Sequence, residues 1–288
     1  MYDILIAPFV EFELIRRALI GAVKLALGAG PIGVFLMLRR MSLTGDAMAH
    51  AILPGAAVGF LIAGLSLPAM TIGGLVAGVI VAMLSGLVTR FTALKEDASL
   101  AAFYLLSLAL GVTIVSMRGS NIDLMHVLFG TVLALDDGAL LLIASITSIT
   151  LLTLAALYRP LVMECVDPIF LRSVSGAGTP VHLIFLALVV LNLVGGFHAL
   201  GTLLAVGLMM LPAAAARFWS ADVTMMTVIA TLIGMVSGAA GLLLSYHVEL
   251  PAGPAIILVA GFAYIGSLLF GREGGLVWLA LPGRHLEA

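Results

Sequence analysis

Residues 18–64 read ALIGAVKLALGAGPIGVFLMLRRMSLTGDAMAHAILPGAAVGFLIAG, and this stretch decides the class of fold. Two long apolar runs, 18–38 and 43–64, flank the basic pair Arg39 and Arg40. A transmembrane helix needs about 20 mostly apolar residues. Each run meets that length, so the stretch predicts two helices that cross a bilayer in opposite directions.

The whole chain has the composition of a membrane protein. Of its 288 residues, 62% are hydrophobic and 10% are charged, whereas soluble domains have about 45–50% and about 25%. These values exclude a soluble enzyme and a disordered chain. The net charge of −2 gives no positive field that would attract nucleic acid. The single cysteine, Cys165, excludes a disulfide framework and a thiolate metal cluster.

Hydropathy along the chain predicts an all-α protein with about eight or nine transmembrane helices. Nine segments are long and apolar enough to be candidates: 18–38, 43–64, 68–89, 98–117, 139–158, 180–198, 200–216, 223–245 and 253–271. Almost nothing separates the sixth from the seventh, which leaves the count open by one. Residues 1–17 predict an interfacial amphipathic segment, residues 18–271 one transmembrane domain, and residues 272–288 a tail.

Lysine and arginine predict the orientation, because cytoplasmic loops carry an excess of both. If nine spans alternate, nine basic residues fall on one side: Arg39, Arg40, Arg90, Lys95, Arg159, Arg172, Arg217, Arg272 and Arg284. Three fall on the other side: Arg16, Arg17 and Arg118. We therefore expect the N-terminus outside the cell and the tail in the cytoplasm.

Small residues and prolines within the spans predict a tightly packed, kinked bundle. Glycines four residues apart allow helix backbones to approach closely, and three spans contain such steps: Gly55 and Gly59, Gly74 and Gly78, and Gly234 and Gly238. Prolines kink transmembrane helices and free backbone carbonyls, and three are expected to do so: Pro54, Pro68 and Pro212.

Two ionisable residues of the second span, Asp46 and His50, are candidates for a metal path. They are four residues apart and so share one helix face. His50 lies about 15 Å along the helix from Arg40, near the middle of a roughly 30 Å hydrocarbon core. A carboxylate and an imidazole on one face suit Zn²⁺ or Mn²⁺. The alternative is an aspartate near a helix start and a histidine bonded to a neighbouring helix.

Other polar residues give weaker signals. Asp123 and His126 are three residues apart on the predicted outer side, where they could meet an incoming ion or cap a short helix, and the cap is favoured. His198 lies at the outer end of its span and could contact metal or a partner there. His182, near the inner end of the same span, is expected to have no special role.

One predicted cytoplasmic loop, residues 160–179, differs from the others. Asp167 followed by Pro168 is typical of a helix N-cap with proline at the first helical position. Phe170 and Leu171 are among the apolar residues that follow, Arg172 adds a charge, and Gly176 suits the helix end. We call residues 167–176 the capped segment. It is either a short helix that inserts into a groove on another protein or an ordinary amphipathic connector.

Several catalytic motifs are absent from the sequence. It has no G-x-x-x-x-G-K-[ST] loop for ATP and no H-E-x-x-H zinc-protease helix. It also has no G-x-S-x-G nucleophile setting. The sequence therefore gives no indication of a catalytic site, and energy for active transport would have to come from another chain or from an ion gradient.

Residues 33–55, around the basic pair and the Asp46–His50 pair, resemble the membrane permease subunits of ABC importers for zinc, manganese and iron. Three further stretches agree in order: LKED at 94–97, NIDLMHVLFG at 121–130 and GTLLAVGLMMLPAA at 201–214. The capped segment matches the region of this family that couples to the ATPase. The similarity covers nearly the whole chain.

The resemblance implies a permease bundle of the vitamin B12-importer type, also called type II, without catalytic activity or a permanently bound cofactor. It implies a homodimer, a cytoplasmic ABC ATPase dimer and an extracytoplasmic metal-binding protein, all at the bacterial cytoplasmic membrane. It gives Asp46 and His50 the metal-path role, and it gives the ATPase-coupling role to the capped segment, with Asp167, Pro168, Phe170, Arg172 and Gly176.

Two other functions stay open from the residues alone. Asp46 could be the proton-coupling carboxylate of a secondary metal transporter, and a membrane-embedded hydrolase is a more distant alternative. For the cargo, zinc is expected first, because it binds mixed nitrogen and oxygen ligands more tightly than manganese. Manganese and iron follow.

Overall fold

The computed structural model is a bundle of α-helices. It describes residues 6–41, 43–64, 66–92, 94, 96–117, 135–167, 170–171, 176 and 178–277, and these residues form eleven helices and no strand. In chain order the helices are α1 Ala7–Glu11, α2 Glu13–Leu38, α3 Thr44–Ala51, α4 Leu53–Ala63, α5 Leu67–Phe91, α6 Glu96–Met117, α7 Asp137–Val166, α8 Gly178–Leu200, α9 Thr202–Ala216, α10 Val223–Val248 and α11 Ala252–Phe270.

Eight helical segments among the described residues are long and apolar enough to cross a membrane. Helices α3 and α4 together form one of them, Thr44–Ala63, and α9 is a shorter apolar helix. At about 1.5 Å per residue, the 15 residues of α9 reach about 22 Å, less than the hydrocarbon core. The predicted all-α membrane fold with eight or nine spans is confirmed.

Two helix boundaries differ from the prediction. Helix α2 begins at Glu13, five residues before the predicted start of the first span at 18, and the interfacial placement of residues 1–17 stays a prediction. Helix α7 continues through Pro160 to Val166, so the first part of the predicted loop is helical. Transmembrane helices tolerate proline because neighbouring groups satisfy the freed carbonyl.

Ion pairs join helix termini at each of the two ends of the bundle. At one end the Arg17 side chain lies 3.2 Å from Asp137, which joins the starts of α2 and α7. At the other end Arg39 lies 3.0 Å from Glu164, which joins their ends. Helix α8 starts at this second end, because His182 also contacts Arg39. The arrangement agrees with alternating crossings, and which end faces the cytoplasm stays a prediction.

The predicted close packing at glycines is confirmed. A Cβ atom at Gly55 would overlap the carbonyl oxygen of Gly73, and a Cβ atom at Gly73 would overlap that of Gly55. Helices α4 and α5 therefore meet backbone to backbone. On α10, a Cβ atom at Gly234 or Gly238 would come within 3.1 Å of the Cβ atom of an alanine of α2. Such contacts give dispersion energy without side chains between the helices.

The three prolines act differently from one another. Pro54 lies in the first turn of α4, directly after α3 has ended at Ala51, and so marks a break in the second span. The Ser107 hydroxyl of α6 donates a 2.9 Å hydrogen bond to the Ala51 carbonyl at this break. Pro212 lies inside α9. The expectation of a kink at Pro68 is wrong, because Pro68 is in the first turn of α5, where proline fits without strain.

Candidate functional site

Helix α3 presents Asp46 and His50 one turn apart on an exposed face. Asp46 Oδ1 and His50 Nε2 are 3.8 Å apart, beyond hydrogen-bonding distance. The Asp46 side chain is 71% exposed and that of His50 is 39% exposed. The two side chains are therefore close enough to bind one ion and are not bonded to each other.

The opposite face of α3 explains this orientation. Met48 and Ala51 are completely buried, as is Thr44 at the start of the helix. Gly45 lies against Met209 of α9, where a Cβ atom would come within 2.8 Å of the methionine methyl group. With these residues against the bundle, the 3.6-residue period of the helix turns the Asp46 and His50 side chains outward.

A tyrosine ring and a helix N-terminus lie next to the Asp46–His50 pair. The His50 ring lies 6.3 Å from the Tyr104 ring of α6, tilted by 31°. Asp46 lies in the first turn of α3, where the partial positive charge of the helix N-terminus stabilises a carboxylate. The Tyr104 ring beside His50 and the helix N-terminus beside Asp46 both favour fixed side chains whose nitrogen and oxygen atoms face outward.

The capped segment begins as the sequence predicts. Asp167 Oδ1 accepts a 2.8 Å hydrogen bond from the Phe170 N–H, and the Asp167 carbonyl accepts one from the Leu171 N–H. This is N-cap geometry. The Phe170 side chain is 48% exposed, whereas that of Leu171 is buried, so Leu171 is not an outward apolar contact. Gly176 is exposed.

A buried ionic cluster lies next to the capped segment. Arg39 Nη2 is 3.0 Å from Glu164 Oε1 and donates a 2.6 Å hydrogen bond to His182 Nδ1. The side chains are 8%, 4% and 5% exposed for Arg39, Glu164 and His182. The guanidinium also lies 5.0 Å from the centre of the Phe185 ring. We call these three charged or titratable residues the Arg39 cluster.

Comparison with known proteins identifies the family. The model of the ABC 3 transport family matches residues 11–271. The chain belongs to this family. It is thus a multi-pass permease subunit of an ABC metal importer, and ATP hydrolysis belongs to separate ATPase subunits.

Curated relatives of this ABC 3 permease carry manganese in their names. This permease is 30% identical over 282 residues to the manganese transport system membrane protein MntC of Halalkalibacterium halodurans, covering 96% of this chain and 95% of the relative. It is also 30% identical over 257 residues to the manganese import system permease protein ScaB of Streptococcus parasanguinis, covering 89% and 90%.

Solved structures have the same fold. PsaBC from Streptococcus pneumoniae in complex with Fab contains a chain that matches with a TM-score of 0.83 and 28% identity, covering 97% of this permease and 99% of that chain. An inward-facing putative metal-chelate type ABC transporter matches with a TM-score of 0.68, 14% identity and coverages of 88% and 84%. The second likeness shows the fold alone.

The described part of the permease contains no group of three or more histidine, cysteine, aspartate or glutamate side chains that could hold a metal ion. As predicted ligands, Asp46 and His50 would supply two donor groups, fewer than the four of a typical zinc site or the six oxygen ligands typical of manganese. Within the described residues, further ligands would have to be water or backbone atoms.

The structure describes the other predicted site residues only in part or not at all. Asp123 and His126 lie outside the described residues, as do Pro168 and Arg172 of the capped segment. His198 belongs to the last turn of α8, and its side chain is outside what the structure describes. Their proposed contacts with metal, a binding protein or the ATPase stay predictions.

Sequence reasoning missed the Arg39 cluster. Arg39 counts in the sequence as one of many basic residues, Glu164 lies in a predicted loop, and His182 has no expected role. Arg39 and His182 are 143 positions apart, so no local spacing joins them. The one available signal is that Glu164 and His182 both lie close to the ends of the capped segment.

Proposed function

We propose that this permease carries Mn²⁺ into a bacterial cell across the cytoplasmic membrane, driven by ATP hydrolysis in a separate ATPase dimer. The observation that carries the proposal is the Asp46–His50 pair. It lies exposed on one helix face of an ABC 3 permease, and the relatives of that permease are named for manganese transport.

The donor atoms fit a divalent transition metal. A carboxylate and an imidazole accept either Mn²⁺ or Zn²⁺. The affinity order favours zinc, but an importer must release the ion that it binds, so tight binding is no advantage along the path. The expectation of zinc as first cargo receives no support from the names of the relatives, and manganese takes its place.

We place the pair at the axis of a permease homodimer. Two copies would bring two aspartates and two histidines together, and four such ligands could replace part of the water shell of the ion. The high exposure of Asp46 and His50 in the single chain supports this arrangement. An extracytoplasmic metal-binding protein would deliver the ion from the outer side.

The capped segment is the proposed ATPase contact. Its start is fixed by the Asp167 cap, and Phe170 is exposed beside it. Large apolar side chains in a pocket typically dominate an interface. Phe170 is therefore the residue most suited to anchor the permease in a groove of the ATPase.

Transport by the purified complex tests the function. The permease, co-expressed with its ABC ATPase and placed in liposomes, should accumulate Mn²⁺ only with hydrolysable ATP and a loaded binding protein. Zn²⁺ in excess should compete weakly. Uptake driven by a proton gradient without nucleotide would instead identify a secondary transporter, and stronger ATP-driven uptake of Zn²⁺ would return zinc to first place.

Labelling tests the orientation. Cys165 is first replaced by serine, and a single cysteine is then placed beside Arg172 or beside Glu249. An impermeant thiol reagent should label the first only from the cytoplasm and the second only from outside. Labelling of both from one side would contradict the assumption of nine alternating spans.

A further inference from the structure

The Arg39 cluster lies between the two regions that the proposed function uses. We propose that Arg39, held by Glu164 and His182, is a positioning residue that transmits movement of the capped segment to the Asp46–His50 pair. The inference rests on the proposed function, because it assumes an ATPase at the capped segment and metal at the pair.

The first link runs from the capped segment to Arg39. Glu164 lies three residues, or about one helical turn, before Asp167 at the end of α7. His182 lies in the first turns of α8, which follows the segment. Both bind the same nitrogen, Arg39 Nη2, at 3.0 Å and 2.6 Å. Any displacement of the segment that moves the end of α7 or the start of α8 therefore acts on Arg39.

The second link runs from Arg39 to the metal-binding helix through a tight turn. The Met41 N–H bonds to the Leu36 carbonyl at 2.9 Å and the Arg40 N–H to the Met37 carbonyl at 3.0 Å, with Arg40 in the left-handed conformation at φ 59°. This is the Schellman helix end. It fixes the path of the chain as it leaves α2.

The turn leads directly into α3. The Thr44 N–H bonds to the Met41 carbonyl at 3.1 Å, and the side chains of Met41 and Thr44 are both 1% exposed. Asp46 follows two residues later in the first turn of α3. Because Met41 and Thr44 are both buried and hydrogen-bonded to each other through the backbone, a shift of Arg39 is passed to α3 rather than absorbed between the helices.

The chemistry of the Arg39 cluster suits a role in positioning Arg39 better than a role in stability alone. Taking charges out of water is costly, and well-packed apolar residues often replace a buried ion pair without loss of stability. Here, in contrast, Glu164 and His182 hold the guanidinium from two helices at the one atom Nη2, and the aromatic face of Phe185 further restricts it. This contrast makes the two roles separable by experiment.

The decisive variant replaces the cluster with apolar residues: Arg39→Met, Glu164→Leu and His182→Leu together. We expect it to accumulate near the wild-type amount and to retain ATPase activity. We expect Mn²⁺ transported per ATP hydrolysed to fall about tenfold, within the usual range of coupling between two sites. A wild-type ratio of transport to hydrolysis in this variant would overturn the inference.

Gly86→Ala decides the question if the triple variant does not accumulate. The new methyl group would lie 3.4 Å from His182 Nε2 and 3.1 Å from the side chains of Leu183 and Leu186, so it presses on α8 while all three cluster residues remain. We expect the ratio to fall about threefold. Gly261→Ala, with open space around its Cβ position, is the matched control, and equal ratios in the two variants would overturn the inference.

The wild-type complex separates the two levels of failure. If it shows no ATP-driven Mn²⁺ uptake, the proposed function fails and this inference fails with it. If it transports Mn²⁺ while both the triple variant and Gly86→Ala keep its ratio of transport to hydrolysis, the inference alone fails.

Discussion

The Asp46–His50 pair and the Arg39 cluster are two solutions to one problem, that of placing ionisable groups in an apolar bundle. Asp46 and His50 are exposed and 3.8 Å apart, without a bond between them. Arg39 and Glu164 are almost completely buried and bonded. The first arrangement leaves ligand atoms available, whereas the second uses them within the chain.

The difference teaches how to separate structural from transport roles in this permease. A buried charge depends on its partner, since removing one member strands the other in a low dielectric. An exposed pair on a helix face has no such dependence. Removing one charged member of the Arg39 cluster should therefore change the amount of protein, and substitutions in the pair should change transport alone.

Arg39→Ala should have the largest effect. It breaks the buried ion pair with Glu164, and breaking a buried ion pair typically costs about 3–5 kcal/mol. We expect little permease in the membrane and a clearly lower midpoint of thermal unfolding in detergent. A wild-type amount and midpoint would show that the buried pair contributes nothing to folding.

Asp46→Asn and His50→Ala should have the next largest effect, and on uptake only. Asp46→Asn removes the negative charge of one proposed ligand and His50→Ala removes the other proposed ligand, and each should cost at least as much as losing an outer-shell partner, about 10–100-fold. Mn²⁺ uptake per amount of complex is the measurement. Wild-type normalised uptake in both variants would leave the pair a structural role only.

Asp46→Glu sharpens the same test. It keeps the charge and moves it by one methylene, so uptake should fall between wild type and Asp46→Asn. Uptake equal to that of Asp46→Asn would indicate that position matters more than charge at this site.

Phe170→Ala should have a smaller effect, on association with the ATPase. Truncating an interface anchor typically costs more than about 1 kcal/mol, or about fivefold in affinity. Less ATPase should co-purify while the amount of permease is unchanged. Substituting the buried neighbour, Leu171→Ala, should instead lower the amount of permease, and unchanged ATPase binding in Phe170→Ala would contradict the anchor role.

Arg17→Ala should have the smallest effect. Arg17 pairs with Glu13 at 2.8 Å and with Asp137 at 3.2 Å, but Asp137 is 86% exposed. Exposed pairs contribute about 0.2–1 kcal/mol. Thermal unfolding and uptake should both remain close to wild type, in contrast to Arg39→Ala. A loss as large as that of Arg39→Ala would show that burial does not explain the difference between the two arginines.

Local features of the fold and site were predictable from the sequence, and distant contacts were not. Apolar runs gave the spans, the Asp167–Pro168 pair gave the cap, and the four-residue spacing gave the shared face of Asp46 and His50. The continuation of α7 past Pro160 was missed, because proline usually ends helices outside a membrane. The Arg39 cluster was missed because packing, not spacing, brings its members together.

The long separation within the Arg39 cluster has a consequence for biosynthesis. Glu164, the carboxylate that pairs with Arg39, follows it by 125 positions (164 − 39), and at about 5–20 residues per second it leaves the ribosome roughly 6 to 25 seconds later. During that interval the Arg39 charge is not neutralised by the cluster, so it can act with Arg40 as a topological signal for insertion of the first helices. On the predicted orientation, the same arginine acts first in setting the direction of the chain and later, once α7 and α8 have been made, in joining helices at one end of the bundle.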